Sequence, residues 1–182
     1  MYKPNFYIIT GGPGVGKTTL LEQMARYGYN YVPEVARNII KEQIEISGDA
    51  LPWKDTRKYS DMMLGRSVDD FVRLSDNNSL LFFDRGIPDT YGYEVLIKLT
   101  ISKDLEEAVK IYRYNPTVFI LPPWKEIYET DNERKQDFKE AVDTFQVMKK
   151  VYADLGYNPV EVPCLPVKER AAFVLDKLGL GK

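Results

Sequence analysis

Gly11-Gly12-Pro13-Gly14-Val15-Gly16-Lys17-Thr18 places glycines, a lysine and a hydroxyl at the spacing G-x-x-x-x-G-K-T, the spacing that wraps a main chain around a polyphosphate. Successive backbone N–H groups of such a turn face inward as a nest for phosphate oxygens, and the start of the following helix adds partial positive charge. Glycine is needed where the backbone takes angles that a Cβ opposes and where phosphate lies against the main chain. Lys17 is expected to carry a mobile cation to the β- and γ-phosphates, and the Thr18 hydroxyl to ligate Mg²⁺. The expected nucleotide-contacting set is Gly12, Pro13, Gly14, Val15, Gly16, Lys17, Thr18 and Thr19.

Two further stretches hold charge where chemistry would use it. Ser79–Phe83 is continuously apolar, as a strand covered on both faces should be, and it runs into Asp84-Arg85-Gly86. An acid ending a buried strand in a chain with a phosphate loop reads as the carboxylate that orients Mg²⁺ or its water; the plainer reading is a cap or turn aspartate. From Trp124 to Lys150 the charges alternate in sign, with Asp131, Glu133, Arg134, Lys135, Asp137 and Lys139. Such alternation is ordinarily a solvated helix face. Arg134 is singled out because its segment follows a strand whose carboxyl end should open onto the nucleotide.

The elements that must position these groups follow from apolar spacing. Phe6–Thr10 reads as a short buried strand, followed by a helix carrying Leu20, Leu21 and Met24 and a stop at Gly28. Tyr29–Pro33 is a second strand with Glu34 at its end, and Val35, Ala36, Ile39, Ile40 and Ile44 recur at helical spacing up to Ser47-Gly48. A longer amphipathic helix carries Tyr59, Met62, Met63, Val68, Phe71 and Val72 to Ser75–Asn78. After Asp84 come helices near Asp89–Leu99 and Ser102–Tyr112, a fourth strand at Pro116–Leu121 stopped by Pro122-Pro123, and a helix with Phe138, Val142, Phe145 and Met148. Tyr157–Val162 is the fifth strand and Val167–Leu178 the closing helix. Strands alternating with helices predict a parallel five-stranded sheet in a three-layer α/β/α sandwich. Lys17, Thr18, Glu34, Asp84, Arg85 and the segment after Leu121 all follow strands, and in such a sheet those ends border one ligand crevice.

Composition bounds the rest. A chain of 182 residues fits a single domain, here expected to span 1–182. Twenty-five basic and 27 acidic residues leave a net charge of −2, so no basic field points to nucleic acid as an obligatory partner. Histidine is absent; proton transfer falls to Asp, Glu, Lys or Tyr, and His-ligated zinc is excluded. The lone Cys164 makes no internal bridge, no apolar run reaches membrane-span length, and the opening MYKPNFYIIT is too short for a secretory signal. A cytoplasmic protein without a membrane partner is expected, monomeric or homodimeric. The 13 tyrosines read mainly as amphipathic core edge, with base stacking open to one or two of them.

With these landmarks placed, GGPGVGKTTL, PEVAR at Pro33–Arg37, FFDRGIPDT at Phe82–Thr90, LPPWKEIYETDNERK at Leu121–Lys135 and LGYNPVEVP at Leu155–Pro163 together resemble the small AAA-labelled P-loop family that includes the ribosylnicotinamide kinase domain of NadR proteins. The likeness is more distant to deoxynucleoside and thymidylate kinases. It implies a P-loop NTPase fold of nucleoside kinase type with a helical lid at about 122–136, and ATP with Mg²⁺ as cofactors. It implies that Glu34 accepts the proton of an acceptor hydroxyl, that Asp84 joins Thr18 at the metal, and that Arg85 belongs to an acidic-Arg pair. The lid arginine would be Arg134, next to Lys135. Arg37, one turn beyond Glu34, is open to three roles: binding an acceptor phosphate, orienting the glutamate, or plain surface charge.

Together these readings lead to Mg-dependent transfer of the ATP γ-phosphate to a hydroxyl of a small nucleoside-like acceptor. Lys17, Glu34, Asp84, Arg85 and Arg134 would be catalytic, and Glu34, Arg37, Arg85 and Tyr91 would bound the acceptor cavity. The alternative is a regulatory module, binding ATP or GTP, whose loops change with nucleotide state and whose output is a partner interaction; no N-K-x-D guanine-reading motif is present.

Overall fold

The computed structural model describes residues 1–127 and 138–181. Five strands, β1 (Phe6–Gly11), β2 (Asn30–Val32), β3 (Leu81–Asp84), β4 (Thr117–Leu121) and β5 (Asn158–Glu161), pair all-parallel in the order β2-β3-β1-β4-β5. Seven helices connect and cover them among the described residues: α1 (Lys17–Arg26), α2 (Val35–Glu45), α3 (Thr56–Arg73), α4 (Ile87–Leu96), α5 (Lys103–Ile111), α6 (Phe138–Asp154) and α7 (Val167–Lys177). None is long and apolar enough to cross a membrane.

The central strands are apolar throughout because helices bury both their faces. On one face Phe6, Ile8, Leu81, Phe83 and Val118 pack with Phe71, Leu105, Tyr114 and Tyr152 from the elements above. On the other, Ile9, Phe82, Phe119 and Leu121 meet Leu20, Leu21 and Met24 of α1 and Ala171, Val174 and Leu175 of α7. The alternation Phe6/Ile8 against Ile9, and Phe83 against Phe82, is the period-two pleat made visible. Edge-on aromatic contacts lock the first face, with Phe71 at 4.9 Å from Tyr114 and 5.3 Å from Phe6 between ring centres.

Boundaries differ from the sequence expectation in instructive places. The third strand starts at Leu81 rather than Ser79 and includes Asp84, which pairs in register with Ile9. Arg85 N–H then donates to Ile9 C=O at 3.1 Å, so the ladder carries past the acid. The first strand likewise runs to Gly11, opposite Leu121. The helix expected from Asp89 begins two residues earlier at Ile87, with Pro88 in its first turn where a missing N–H costs nothing. The expected lid lies within the described residues only from Pro122 to Ile127, where Lys125–Ile127 form a single 3₁₀ turn; Arg134 lies outside the described residues.

Candidate active site

The chain leaves β1 at the centre of the sheet and later crosses to β4 on its other side, so the carboxyl ends of β1, β3 and β4 frame a crevice. The loop Gly12–Gly16 fills it and delivers Lys17 as the first residue of α1. Gly16 has φ +82°, and a Cβ there would meet the Arg170 guanidinium at 2.9 Å. Gly12 is closed in from the other side, its missing Cβ 2.9 Å from the Ala141 carbonyl of α6. Both positions need glycine, one for conformation and approach, the other for approach alone. Val15 differs from its neighbours in the loop. Its side chain is 2 % exposed and packs into the core with Ile9 and Leu20, so only its backbone faces the loop's function.

Lys17 is 8 % exposed and folds back to donate to the Gly12 carbonyl at 3.3 Å. Burial, and then the neighbouring Arg85 cation, push its pKa down, against the pull of Asp84, Glu34 and Asp89. Thr18 and Thr19 occupy the exposed first turn of α1. Asp84 is 7 % exposed, and its Oδ1 is buried without a hydrogen-bond partner. Burial raises its pKa while Lys17 opposes and Glu34 adds to the rise. A buried carboxylate oxygen left unpaired is costly unless a cation answers it, and a divalent ion shared with the Thr18 hydroxyl and phosphate oxygens has the right hard-oxygen chemistry. The donor set therefore fits Mg²⁺.

Glu34 caps α2 from the end of β2 in extended conformation. Its Oε1 accepts from Arg85 Nε at 2.9 Å, and its Oε2 lies 3.8 Å from Arg37 Nε. Burial would raise this carboxyl, but the charges of Arg85 and Lys17 and the Arg85 hydrogen bond outweigh it and bring the pKa to about 2. Arg85 sits at φ +71°, a left-handed conformation unusual outside glycine. The turn bends its side chain back across the strand ends, where Nη1 also reaches Asp89 Oδ1 at 3.3 Å. Burial opposes the charge on Arg85, yet Glu34, Asp89 and Asp84 raise its pKa, so it is permanently charged. Arg37 is half exposed and touches the cluster only through that 3.8 Å contact.

The structure thus brings Lys17, Glu34, Asp84 and Arg85 into one charge cluster. Tyr91 does not join it. This side chain packs against the core under α5 and lines a separate groove of about 370 Å³ with Glu106, Val109, Lys110, Arg113, Asp154 and Leu155. Tyr93, two residues on and therefore about 200° around the helix, faces the Glu34 side instead. It meets Tyr59 edge-on at 5.7 Å, in a cluster with Val35, Ala36, Ile39 and Met63. The Tyr59 hydroxyl is raised in pKa by burial, then by Tyr93 and by Glu34. Tyr59 and Tyr93, not Tyr91, are thus the tyrosines on the Glu34 side; only the phase of α4, absent from the sequence pattern, separates 91 from 93.

Two other groups were not legible from sequence. Asp89 accepts from Gly86 N–H at 2.8 Å and from the Tyr152 hydroxyl at 2.5 Å, as well as from Thr10 and Arg85; in sequence it reads as an ordinary acid in a helix's first turn. Arg170, on α7, is 5 % exposed, donates to the Val15 carbonyl at 3.2 Å and lies 5.5 Å from the Trp124 ring. Its Nε has no partner among the described residues.

Comparison with known proteins agrees with this fold. The family model described as "AAA domain" matches residues 6–170. No curated protein matches the sequence. Among solved structures, a NadR protein in complex with NR is 16 % identical with a TM-score of 0.67, covering 95 % of this chain and 49 % of that one, and a NadR protein with NAD and AMP-PNP is 17 % identical with a TM-score of 0.68. The chain thus spans about half the length of the NadR structures. Deoxyadenosine kinase from M. mycoides, bound to dCMP and dCDP, is 16 % identical with a TM-score of 0.64 and covers 96 % of this chain and 98 % of its own. Thymidylate kinase from Ehrlichia chaffeensis is 14 % identical with a TM-score of 0.63, over 95 % and 97 %. The phosphate loop, the parallel order β2-β3-β1-β4-β5 and the match across residues 6–170 identify this chain as a member of the AAA domain family, with a P-loop fold shared by NadR, deoxyadenosine kinase and thymidylate kinase.

Proposed function

We propose that this chain is a phosphotransferase that moves the γ-phosphoryl group of ATP to a hydroxyl of a small nucleoside-like acceptor. The observation that carries the reading is the Glu34–Arg85 pair at 2.9 Å, set between the ends of β2 and β3 and facing Lys17. A phosphate loop that only binds nucleotide has no use for a buried carboxylate held against an arginine at that point. Transfer to a hydroxyl needs both: a base for the leaving proton and a cation for the equatorial oxygens.

The loop amides and Lys17 would hold the triphosphate, and Thr18 with Asp84 would hold Mg²⁺, which when bound neutralises charge on the phosphates. Glu34, with a pKa of about 2 while Arg85 and Lys17 face it, is a weak base in that arrangement. A phosphoryl group arriving between them draws both cations toward its oxygens, and Glu34 regains basicity as the acceptor hydroxyl needs it. Tyr93, partly exposed and braced edge-on by the buried Tyr59, is the ring that would meet a flat base. Arg134, outside the described residues, would serve as the lid arginine.

The test is incubation of the purified protein with Mg-ATP and a panel of nucleosides, including ribosylnicotinamide, with phosphorylated product read by mass. One nucleoside should gain a phosphate. Glu34→Gln should lower kcat by about 10²–10⁴-fold while ATP affinity stays within about threefold. Full retention of transfer in that variant, or no product from any nucleoside, overturns the reading; a regulatory module would bind ATP equally well in both forms and transfer nothing.

A further inference from the structure

Asp89 has no role in the chemistry above, yet it is among the most heavily solicited side chains in the molecule. It is 5 % exposed and receives four donors. Oδ1 takes the Thr10 hydroxyl and Arg85 Nη1, the latter at 3.3 Å. Oδ2 takes the Gly86 N–H at 2.8 Å and the Tyr152 hydroxyl at 2.5 Å. A carboxylate needed only to cap α4 would be satisfied by the Gly86 contact alone. The other three donors come from the residue leading β1 into the phosphate loop, from the far end of α6, and from the arginine itself.

We infer that Asp89 is a positioning residue that fixes the Arg85 guanidinium, holding it toward the phosphoryl path when its bond to Glu34 is released. This rests on the phosphotransferase reading for its consequence in catalysis, though not for its structural content. Arg85 is anchored at two atoms by two carboxylates, Nε by Glu34 and Nη1 by Asp89. A guanidinium is planar, so those two anchors define the direction of the remaining Nη2. The backbone at Arg85, with φ +71°, supplies the bend that makes this double anchoring reachable. When a phosphoryl anion competes for the Nε edge, the Asp89 contact is the one that keeps the group from swinging into solvent. Asp89 is itself immobilised by β1 on one hand and α6 on the other, over one face of the sheet's end. Thr10 is 0 % exposed, and burial, then the Asp89 charge, keep the Tyr152 hydroxyl protonated as a donor.

The experiment compares wild type with Asp89→Asn in two measurements. In ¹⁵N-labelled protein without nucleotide, the Nε–H signal of Arg85, assigned by its loss in Arg85→Lys, should exchange slowly in wild type and at least about tenfold faster in the variant. In the transfer assay, Asp89→Asn should lower kcat at least about tenfold with KM for ATP within about twofold, and should add less than about twofold in the Arg85→Lys background. A purely structural acid would lower both backgrounds alike. An unchanged Arg85 Nε–H, or equal losses in the two backgrounds, overturns the assignment. If Asp89→Asn does not fold, Thr10→Val removes one donor on Oδ1; loosening of the carboxylate should then speed Nε–H exchange about threefold, and an unmoved signal counts against Asp89. Absence of any transfer in wild type would defeat the functional reading, while the exchange measurement would still decide the positioning role.

Discussion

The Glu34–Arg85 side of this crevice, proposed for the acceptor, and the Lys17–Asp84 side, proposed for the phosphates, are built on opposite plans. On the acceptor side every charged group is answered: Glu34 by Arg85 and Arg37, Arg85 by two carboxylates, Asp89 by four donors. On the phosphate side, Lys17 has one 3.3 Å contact with a carbonyl, and Asp84 Oδ1 and Arg170 Nε have none among the described residues. Groups left short of partners in a buried setting are a cost to folding that a ligand can remove. Under the proposed function, the acceptor machinery would be assembled by the protein alone, whereas the phosphate machinery would be completed by nucleotide and metal.

That contrast is broken most directly at Lys17. Lys17→Ala should reduce kcat/KM for transfer by about 10³-fold yet leave the fold intact, since it relieves a buried cation beside Arg85. Steady-state kinetics alongside a thermal melt separates the two effects.

Next in size is the pH response of the acceptor side. Glu34 is depressed from 4.5 in the unfolded reference to about 2 in the fold, so its contribution to stability is full above about pH 5 and is lost as the pH falls through 2. The amount is about 3 kcal/mol, for a side chain 17 % exposed. Urea unfolding at pH 7 and pH 3 should show a smaller loss in Glu34→Gln than in wild type. Asp84 should behave in the opposite sense. Because burial raises its pKa, its ionised form costs stability at neutral pH, and Asp84→Asn should raise the melting temperature of the ligand-free protein by about 2–4 °C. The same variant should lose the stabilisation that Mg-ATP confers on wild type, read in the same melt. The smallest effect belongs to Arg37, more than half exposed at 3.8 Å from Glu34. Arg37→Ala should move stability by less than about 0.5 kcal/mol; a large loss of transfer with unchanged stability would instead assign it to acceptor binding.

Much of the fold was legible because parallel strands buried on both faces have to be uninterrupted apolar runs, as Phe6–Ile9, Leu81–Phe83 and Val118–Leu121 are. Lys17, Glu34, Asp84 and Arg85 were legible because each lies at or just beyond the carboxyl end of a strand, and topology alone gathers strand ends. The misses have a common cause. Tyr91 and Tyr93 are equivalent in sequence until the rotation of α4 about its axis is known. Asp89 reads as a first-turn acid until Thr10, 79 residues earlier, and Tyr152, 63 residues later, are seen to converge on it. Arg170 belongs to a helix whose amphipathic pattern promises only packing on the sheet, and its reach to Val15 follows from α7 lying against α1.

The Arg170 contact joins the opening loop to a residue 155 positions further along. The ribosome must therefore have made the chain as far as α7 before the loop can be held from that side. Clasping of the loop is thus a late event in the biogenesis of this fold, made only after all five strands have been synthesised.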